Sequence, residues 1–460
     1  MSRRLAVRAI SPSSSGLFTL VLVVALCYLH LPSARAQQSS APCGLTSSIP
    51  QGNRLSHETF RMFVRRPDLV GSPDAQIPSG FTAASQFGAT GNGKQDDTEA
   101  LQNALDKARR VWLKPNGTYR ISRRLTLRDQ RQLASDGTAT LLLARGVSGF
   151  SNTSIDRNEL GLYSQSGTGL LLEGTGITLR DVYIVKEYED DRYVIGVEVR
   201  SAAGVLINRV RLRGFSLAPG IITVRRGSRN VTVSNSLIHA SCSMSIKAPP
   251  PPVVSSFQIT GIVVDDSPLI PPASERITIS NNVIVDLYMK PITSRGDQTD
   301  GINFGGIRTG NNSRIENNFI NHVAEGIDLF GANIIVANND IGGREQAIKL
   351  IHGARDIQIL QNHITGKPSI SGVGIWTSGE EGRRVEDIRI SHNVFDMRYT
   401  TKPGIFVDRT GAYPPSKVII EENRFLVNSC AFEAVSCDAL HQCSERDNDK
   451  LHEGVFPCPP

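Results

Sequence analysis

Several features are scarce in this chain, and each scarcity removes a class of protein. The apolar run Leu17 to Leu31 falls short of the roughly 20 residues a membrane span needs, and it carries His30. Arg3, Arg4 and Arg8 precede the run and Ala34-Arg35-Ala36 closes it, which is the layout of a secretory signal peptide over residues 1–36, with a membrane anchor as the competing reading. Charge of one sign is scarce too. Of 50 Lys and Arg against 44 Asp and Glu, four arginines lie in that segment, so the mature balance is 46 to 44. A sequence pI near 9.0 then gives no ground for a nucleic-acid partner. Short C-x₂₋₄-C spacing is missing: Cys430, Cys437, Cys443 and Cys458 are spaced C-x₆-C-x₅-C-x₁₄-C, which argues against a zinc knuckle. Gly91-Asn-Gly93 precedes a helix pattern but lacks the Gly-Lys-Ser/Thr ending of a phosphate loop. No dense run of aspartates offers a Ca²⁺ cradle. No metal and no cofactor is therefore expected, Ca²⁺ entering only if the chemistry is that of a lyase.

What the chain does contain is repetition. A small residue followed by an alternating strand recurs as Gly196-Val-Glu-Val, Gly220-Ile-Ile-Thr, Gly261-Ile-Val-Val, Gly301-Ile-Asn-Phe, Gly326-Ile-Asp-Leu, Ala347-Ile-Lys-Leu, Gly374-Ile-Trp-Thr and Gly404-Ile-Phe-Val. The starts lie 24, 41, 40, 25, 21, 27 and 30 residues apart, the period of a solenoid with a few swollen coils. One strand pair per repeat cannot bury its own apolar face, so neighbouring repeats must stack. A second phrase, apolar-x-x-Asn-x-apolar, interleaves with the first at Asn282, Asn318, Asn339, Asn362, Asn393 and Asn423, with Val182, Val210 and Ser236 at that place in earlier copies. Asparagine is disfavoured in strands but suits left-handed turns, and stacked copies can form an amide ladder. The pattern predicts an all-β chain, a single-stranded parallel β-helix.

Its ends carry different signals. Residues 37–80, rich in Pro, Ser and Gln, read as a loose lead-in with one short helix. Past it, Asp96 or Asp97 is a natural N-cap, and Ala100, Leu101, Ala104, Leu105 and Ala108 form one apolar stripe. That helix should cover the open edge of the first coil, which would otherwise invite strand addition. Removal of Cys27 with the signal segment leaves six cysteines: Cys43, Cys242 and the four that crowd residues 430–460. In an exported chain they suggest up to three disulfides and a Cys-rich C-terminal cap after a β-helix of residues 81–429. Asn116, Asn152, Asn230 and Asn311 head glycosylation sequons.

The stretch Phe87-Gly-Ala-Thr-Gly-Asn-Gly-Lys-Gln-Asp-Asp97 through Ala104, with Lys114-Pro-Asn-Gly-Thr-Tyr119, closely resembles the opening of the pectate-lyase superfamily, in the branch related to polygalacturonases and phage tailspikes. With the coils, the resemblance covers residues 81 to 430. It implies a right-handed parallel β-helix whose N-terminal end is plugged by the amphipathic helix. The group includes polysaccharide lyases, glycoside hydrolases, uronan epimerases and receptor-binding spikes, so the fold alone does not choose the reaction.

Alternate strand residues face the core and the solvent. The outward ones in successive copies are Asn303, Asp328, Lys349, Trp376 and Phe406, and coils roughly 4.8 Å apart put them in one column. The position before the glycine adds Asp300, Glu325 and Gln346 at a bend beside it. Asp300 and Glu325, one coil apart, can act as acid and as base or nucleophile on a glycosidic bond. Asp297-Gln-Thr-Asp300-Gly-Ile-Asn303 is similar to the Asn-Thr-Asp-Gly-Ile-Asp motif of polygalacturonases, whose Asp is catalytic, and this carries the role to Asp300. The family's next-coil Asp-Asp is matched by Ala324-Glu325, while its Gly-His-Gly and Arg-Ile-Lys have no counterpart, Lys349 being a nearby cation.

The expected catalytic set is thus Asp300, Glu325, Asp328 and Lys349, with Asn303, Arg344, His352, Trp376 and Phe406 binding substrate. The reading is a secreted glycoside hydrolase whose partner is an extracellular, acidic, pectin-like polysaccharide. A polysaccharide lyase or uronan C5-epimerase is the runner-up, with Lys349, His352, His322 or Arg344 abstracting a proton or neutralising a carboxylate. His322, His363 and His392 read as turn residues. Asp265-Asp266 and the insert Ala248-Pro-Pro-Pro-Pro252 fall between coils or at their ends. A non-catalytic glycan-binding or adhesive β-helix would keep the aromatic face but not depend on Asp300 or Glu325.

Overall fold

Gly301-Ile-Asn-Phe and Gly326-Ile-Asp-Leu are nearly the same strand written twice, and the chain lays one on the other: Ile302 pairs with Ile327, Asn303 with Asp328 and Phe304 with Leu329. In the computed structural model this stacking repeats along the chain. The described residues are 76–147, 166–187, 193–215, 218–239, 259–265, 272–285, 287, 299–306, 309–437, 443–452 and 456–457. Outside them lie the signal segment, residues 37–75 of the lead-in, the Pro-rich insert, Asp266, Asn152, Cys43, Cys242 and Cys458.

Each full coil holds three strands rather than the pair expected. One coil runs Thr299–Phe304, Ser313–Glu316 and Phe319–Asn321, and the next runs Glu325–Leu329, Ala332–Ala337 and Asp340–Gly342. The third strand spans three residues in both coils, too short for its alternation to stand out in the sequence. Strands of successive coils pair parallel, in one sheet of 23 strands and another of 14. Inward residues from all three sides, such as Ile302, Ile315 and Ile320, are fully buried and stack on their equivalents in the next coil. The result is a parallel β-helix with one continuous apolar core.

The asparagine ladder forms as the sequence predicts. Asn282 Nδ2 donates to Asn318 Oδ1 at 3.0 Å, Asn318 to Asn339 at 2.9 Å, Asn339 to Asn362 at 2.9 Å, Asn362 to Asn393 at 3.0 Å and Asn393 to Asn423 at 2.9 Å. It runs one rung further than expected, to Asn448, and upstream Ser236 takes over as donor to Asn282 Oδ1. The left-handed residue is not the ladder asparagine but the one before it: Asn281, Asn317, Asn338, Gln361, His392 and Glu422 all have positive φ. Each ladder amide also bonds a backbone carbonyl of the preceding coil, as Asn339 Nδ2 does to Ile315 O at 2.9 Å. Asn339→Ala would remove the acceptor of the buried Asn318 N–H and of one of its two Nδ2 hydrogen bonds. Urea denaturation should show a loss of about 2–4 kcal/mol, against under ~1 kcal/mol for Asn448→Ala at the half-buried end.

The N-terminal helix, α1, spans Thr98–Lys107 and buries Leu101, Ala104 and Leu105. It does more than cover the first coil: Gln102 Oε1 accepts from Thr126 N at 2.9 Å, and Thr98 Oγ1 accepts from Ser122 N at 2.8 Å, satisfying backbone at the strand edge. Asp97 occupies the N-cap without capping. Its carboxylate instead holds Thr90 N and Gly91 N, and Asp96 accepts from Thr98 N at 3.0 Å.

At the other end, the Cys-rich segment is itself a coil. Val435–Ser436 pairs with the strand at Ile405, Cys443–Arg446 with that at Val418, and Asp449–His452 with that at Arg424. A Cys437–Cys443 disulfide spans its turn, and Cys430 is also disulfide-bonded. Antiparallel pairing of Leu451 with Pro457 and His452 with Phe456 then covers the last edge. Among the described residues no helix is long and apolar enough to cross a membrane.

Candidate active site

Six strands build the site: β1 (Ile259–Val264), β2 (Thr299–Phe304), β3 (Glu325–Leu329), β4 (Gln346–Leu350), β5 (Ser371–Ile375) and β6 (Ile405–Val407). At the small residue of β2, β3 and β4 the pairing skips one position, from Asp300–Glu325 to Ile302–Ile327 and from Glu325–Gln346 to Ile327–Ile348. The skip marks a bend. A Cβ on Gly326 would lie 2.4 Å from Ala347 O, so this close approach of neighbouring coils requires glycine. The bend turns the residue before the glycine to the outer face, where it meets the residue three places on: Asn303 Nδ2 donates to Asp300 Oδ2 at 3.1 Å.

Two polar columns therefore run side by side. One is Thr260, Asp300, Glu325, Gln346 and Ser371; the other is Asn303, Asp328, Lys349, Gly374 and Phe406. Gly374, not Trp376, stands in register with Lys349. The true copy is Gly372-Val-Gly-Ile, two residues before the phrase picked from the sequence, and a shift of two keeps the facing unchanged. The earlier copy at Gly220 was misplaced by one, since Ile222 pairs with Val197 and Thr223 with Glu198.

The four expected catalytic residues come together. Asp300, Glu325 and Asp328 bring carboxylate oxygens within 4.8 Å of one another, an acidic trio assembled by stacking although the sequence has no acidic run there. All three are buried. The Lys349 ammonium enters the trio, 3.0 Å from both Glu325 oxygens and 3.5 Å from Asp328 Oδ2. Asn303 Nδ2 bridges the two aspartates, its second contact being Asp328 Oδ2 at 3.3 Å. The chain thus supplies the positive charge that three adjacent carboxylates need.

Burial and its neighbours split the ionisation of this group. Burial, with the Glu325 charge beside it, pushes Asp300 up to about 8, against the opposing pull of Lys349 and Asn303. Burial also carries Asp328 well above the carboxylate range, Lys349 opposing it. For Lys349, burial alone would lower the pKa, but Asp328 and Glu325 outweigh it and hold the ammonium above its ordinary range. Burial thus favours the protonated form of Asp300, while the carboxylates favour the charged form of Lys349.

Beyond Lys349 the columns open onto an aromatic groove. The Trp376 indole N–H donates to Gln346 Oε1 at 3.1 Å, and Trp376 and Phe406 meet with centroids 5.4 Å apart and planes at 59°. They line a cavity of about 670 Å³ with Glu345, Ser369, Lys402 and Glu433. A second recess, of about 870 Å³, lies over α1; its charged residues Glu99, Asp106, Arg123 and Arg124 are all exposed, and it shares no residue with the acids.

Two expected binding residues contact neighbours of the site rather than the acids themselves. Arg344 reaches Glu345 Oε1 at 3.4 Å, and His352, in a left-handed turn, packs edge-on against Phe330 at 4.9 Å. Burial, then Lys349 and Arg383, keeps His352 below the ordinary imidazole range. His322 and His392 are left-handed turn residues as expected, whereas His363 begins a strand in register with Asp340. Sequence reasoning passed over Glu198, three coils up the Asn303 column, where Arg225 Nε donates to it at 2.8 Å as a buried ion pair. Its position after Gly196-Val was the available signal.

Residues 253–449 match the model of the right handed beta helix region, and residues 81–184 match that of the rhamnogalacturonase A/epimerase, pectate lyase-like family. Among solved structures, the mannuronan C-5 epimerase AlgE4 A-module of Azotobacter vinelandii superposes with a TM-score of 0.57 at 18% identity, covering 82% of this chain and 96% of that one. PfbA, a surface adhesin of Streptococcus pneumoniae, does so with a TM-score of 0.56 at 14% identity, covering 81% and 90%. At such identities the likeness establishes the fold. No curated protein matches the sequence closely enough to count as a relative.

Proposed function

The chain being a right-handed β-helix of the pectate-lyase superfamily, we propose that it is a secreted glycoside hydrolase acting on an extracellular polysaccharide. The observation that carries this reading is a buried Asp300 in register with Glu325 one coil on, whose two oxygens are held by Lys349, and burial pushes the Asp300 carboxyl up to about 8. Asp300 protonates the glycosidic oxygen as general acid. Glu325 is the base or nucleophile, and Lys349 holds both its oxygens in place. The groove at Trp376 and Phe406 holds neighbouring sugar rings against aromatic faces.

Proton abstraction next to a uronate, as a lyase or C5-epimerase requires, would fall here to an unprotonated Lys, His or Arg beside the cluster. Lys349 is a poor base, because its ion pairs with Glu325 and Asp328 hold the proton on the amine. His352, held below the ordinary imidazole range, packs against Phe330. A Ca²⁺ ion would seek six to eight oxygen ligands and would compete with Lys349 for the same carboxylates. The adhesive reading predicts glycan binding that survives loss of Asp300.

A glycan panel, neutral and uronate-containing, followed by reducing-end assay and absorbance near 235 nm, separates these. New reducing ends without absorbance support hydrolysis, and the members cleaved identify the sugar class. Absorbance indicates elimination, and binding without new ends indicates an adhesin. On the cleaved glycan, Trp376→Ala should raise KM about tenfold, ~1.4 kcal/mol, with kcat nearly unchanged, because stacking in the groove serves ground state and transition state alike.

A further inference from the structure

Seven buried side-chain polar atoms lack a hydrogen-bond partner among the described residues, and three of them lie in three consecutive coils: Thr260 Oγ1, Asp300 Oδ1 and Asp328 Oδ1. Such atoms are costly to bury, so their concentration at one place asks for a reason. Thr260 is 0% exposed on β1, in direct register with Asp300 on β2. Adjacent parallel strands are roughly 4.8 Å apart, so the hydroxyl is the near neighbour of the carboxyl from below. From above, Glu325 is occupied, both its oxygens being taken by Lys349. Asp300 Oδ2 is also engaged, accepting from Asn303. Of the three unpartnered atoms only Thr260 Oγ1 belongs to a group that can donate whatever the protonation of the acids.

Resting on the reading of Asp300 as general acid, we infer that Thr260 is a positioning residue whose hydroxyl donates to Asp300 Oδ1, directly or through one water, as Asp300 gives up its proton. While Asp300 is neutral, its carboxyl carries the proton that goes to the glycosidic oxygen and is a weak acceptor. Once the O–H bond of Asp300 breaks, its electron pair stays on the carboxylate and the waiting donor stabilises the new charge. The hydrogen bond is made in the transition state and not before it, which is the kind of interaction that raises kcat. Thr260 uses no charge for this. The charged and titratable groups facing Asp300 are Glu325, Asp328, Glu345 and Lys349, and Thr260 supplies a neutral donor on the one side they leave open.

The test replaces Thr260 by valine, which keeps the shape, and by serine, which keeps the hydroxyl, in the full chain. The Asp300 carboxyl is titrated by infrared difference spectroscopy with Asp300→Asn as the blank, and kcat and KM are measured on the glycan cleaved in the panel. Losing a donor to the ionised form raises the pKa of an acid. Thr260→Val should therefore move the Asp300 titration, and the alkaline limb of kcat, up by about one pH unit and lower kcat about tenfold at unchanged KM. Thr260→Ser should restore both. An unmoved titration in Thr260→Val overturns the inference even if kcat falls, as does a serine variant that behaves like valine. If Thr260→Val does not fold, Thr260→Ala against Thr260→Ser makes the same comparison. A titration that moves in a protein that cleaves no glycan keeps the Thr260–Asp300 contact and rejects the hydrolase.

Discussion

Asp300→Asn is expected to lose turnover by about 10²–10⁴-fold while making the protein more stable at pH 8. The two effects have one cause. A buried carboxyl held at about 8 binds its proton in the folded chain at pH values where the unfolded chain has released it. Between the ordinary carboxylate pKa and about 8 the native state therefore binds more protons, so its stability falls as pH rises. The contribution is fully present below the ordinary carboxylate pKa and lost as pH rises through the folded one. Asparagine keeps the volume and removes the titration. Melting curves of variant and wild type should coincide near pH 4 and separate toward pH 8 in favour of the variant, by an amount on the order of a few kcal/mol. Activity of the wild type should fall above about pH 8, as the general acid deprotonates. A variant that is inactive and also less stable at pH 8 would show that Asp300 is a structural hydrogen-bonding residue.

Lys349→Met acts in the opposite sense. Its ammonium is the positive charge within contact distance of Glu325 and Asp328, and removing one partner from a buried ionic group typically costs about 3–5 kcal/mol. Without it the carboxyls can escape their mutual repulsion only by keeping protons. Asp300 and Asp328, whose pKa values Lys349 holds down, then rise further above their unfolded values, so the missing stability is small in acid and grows as pH increases. Thermal unfolding of Lys349→Met against wild type from pH 4 to pH 8 should show a deficit that widens by several degrees. A deficit independent of pH would show that Lys349 does not set the ionisation of these carboxyls.

The architecture could be read from the chain because a β-helix repeats its instructions: each copy of the strand phrase and each ladder asparagine confirms the last. The two columns followed from the period of two once the glycine was recognised as a bend, and Asp300, Glu325, Asp328 and Lys349 were found that way. Register was harder to fix. Gly372-Val-Gly374-Ile and Gly374-Ile-Trp-Thr fit the same phrase, and only coil-to-coil hydrogen bonding decides between them. Arg344 and His352 lie in bends and turns, where no period says which neighbour a side chain will meet, and their contacts with Glu345 and Phe330 come from the fold. The embrace of Glu325 by Lys349 depends on how far a long side chain reaches back across a coil. The orphaned hydroxyl of Thr260 depends on burial, and neither property belongs to a residue taken alone.

The asparagine ladder has a consequence for how the molecule breathes. It stitches the turns from Asn282 to Asn448, ends upstream at Ser236, and has only Val210 and Val182 at the same place before that. In a solenoid each coil contacts only its neighbours, so opening travels along the axis as a zipper does, from the end with the weaker teeth. The turns without amides are the first to exchange their backbone protons with water. Asp300, Glu325 and Lys349 ride on coils inside the stitched half, and the helix that plugs the N-terminal end guards the half that is not.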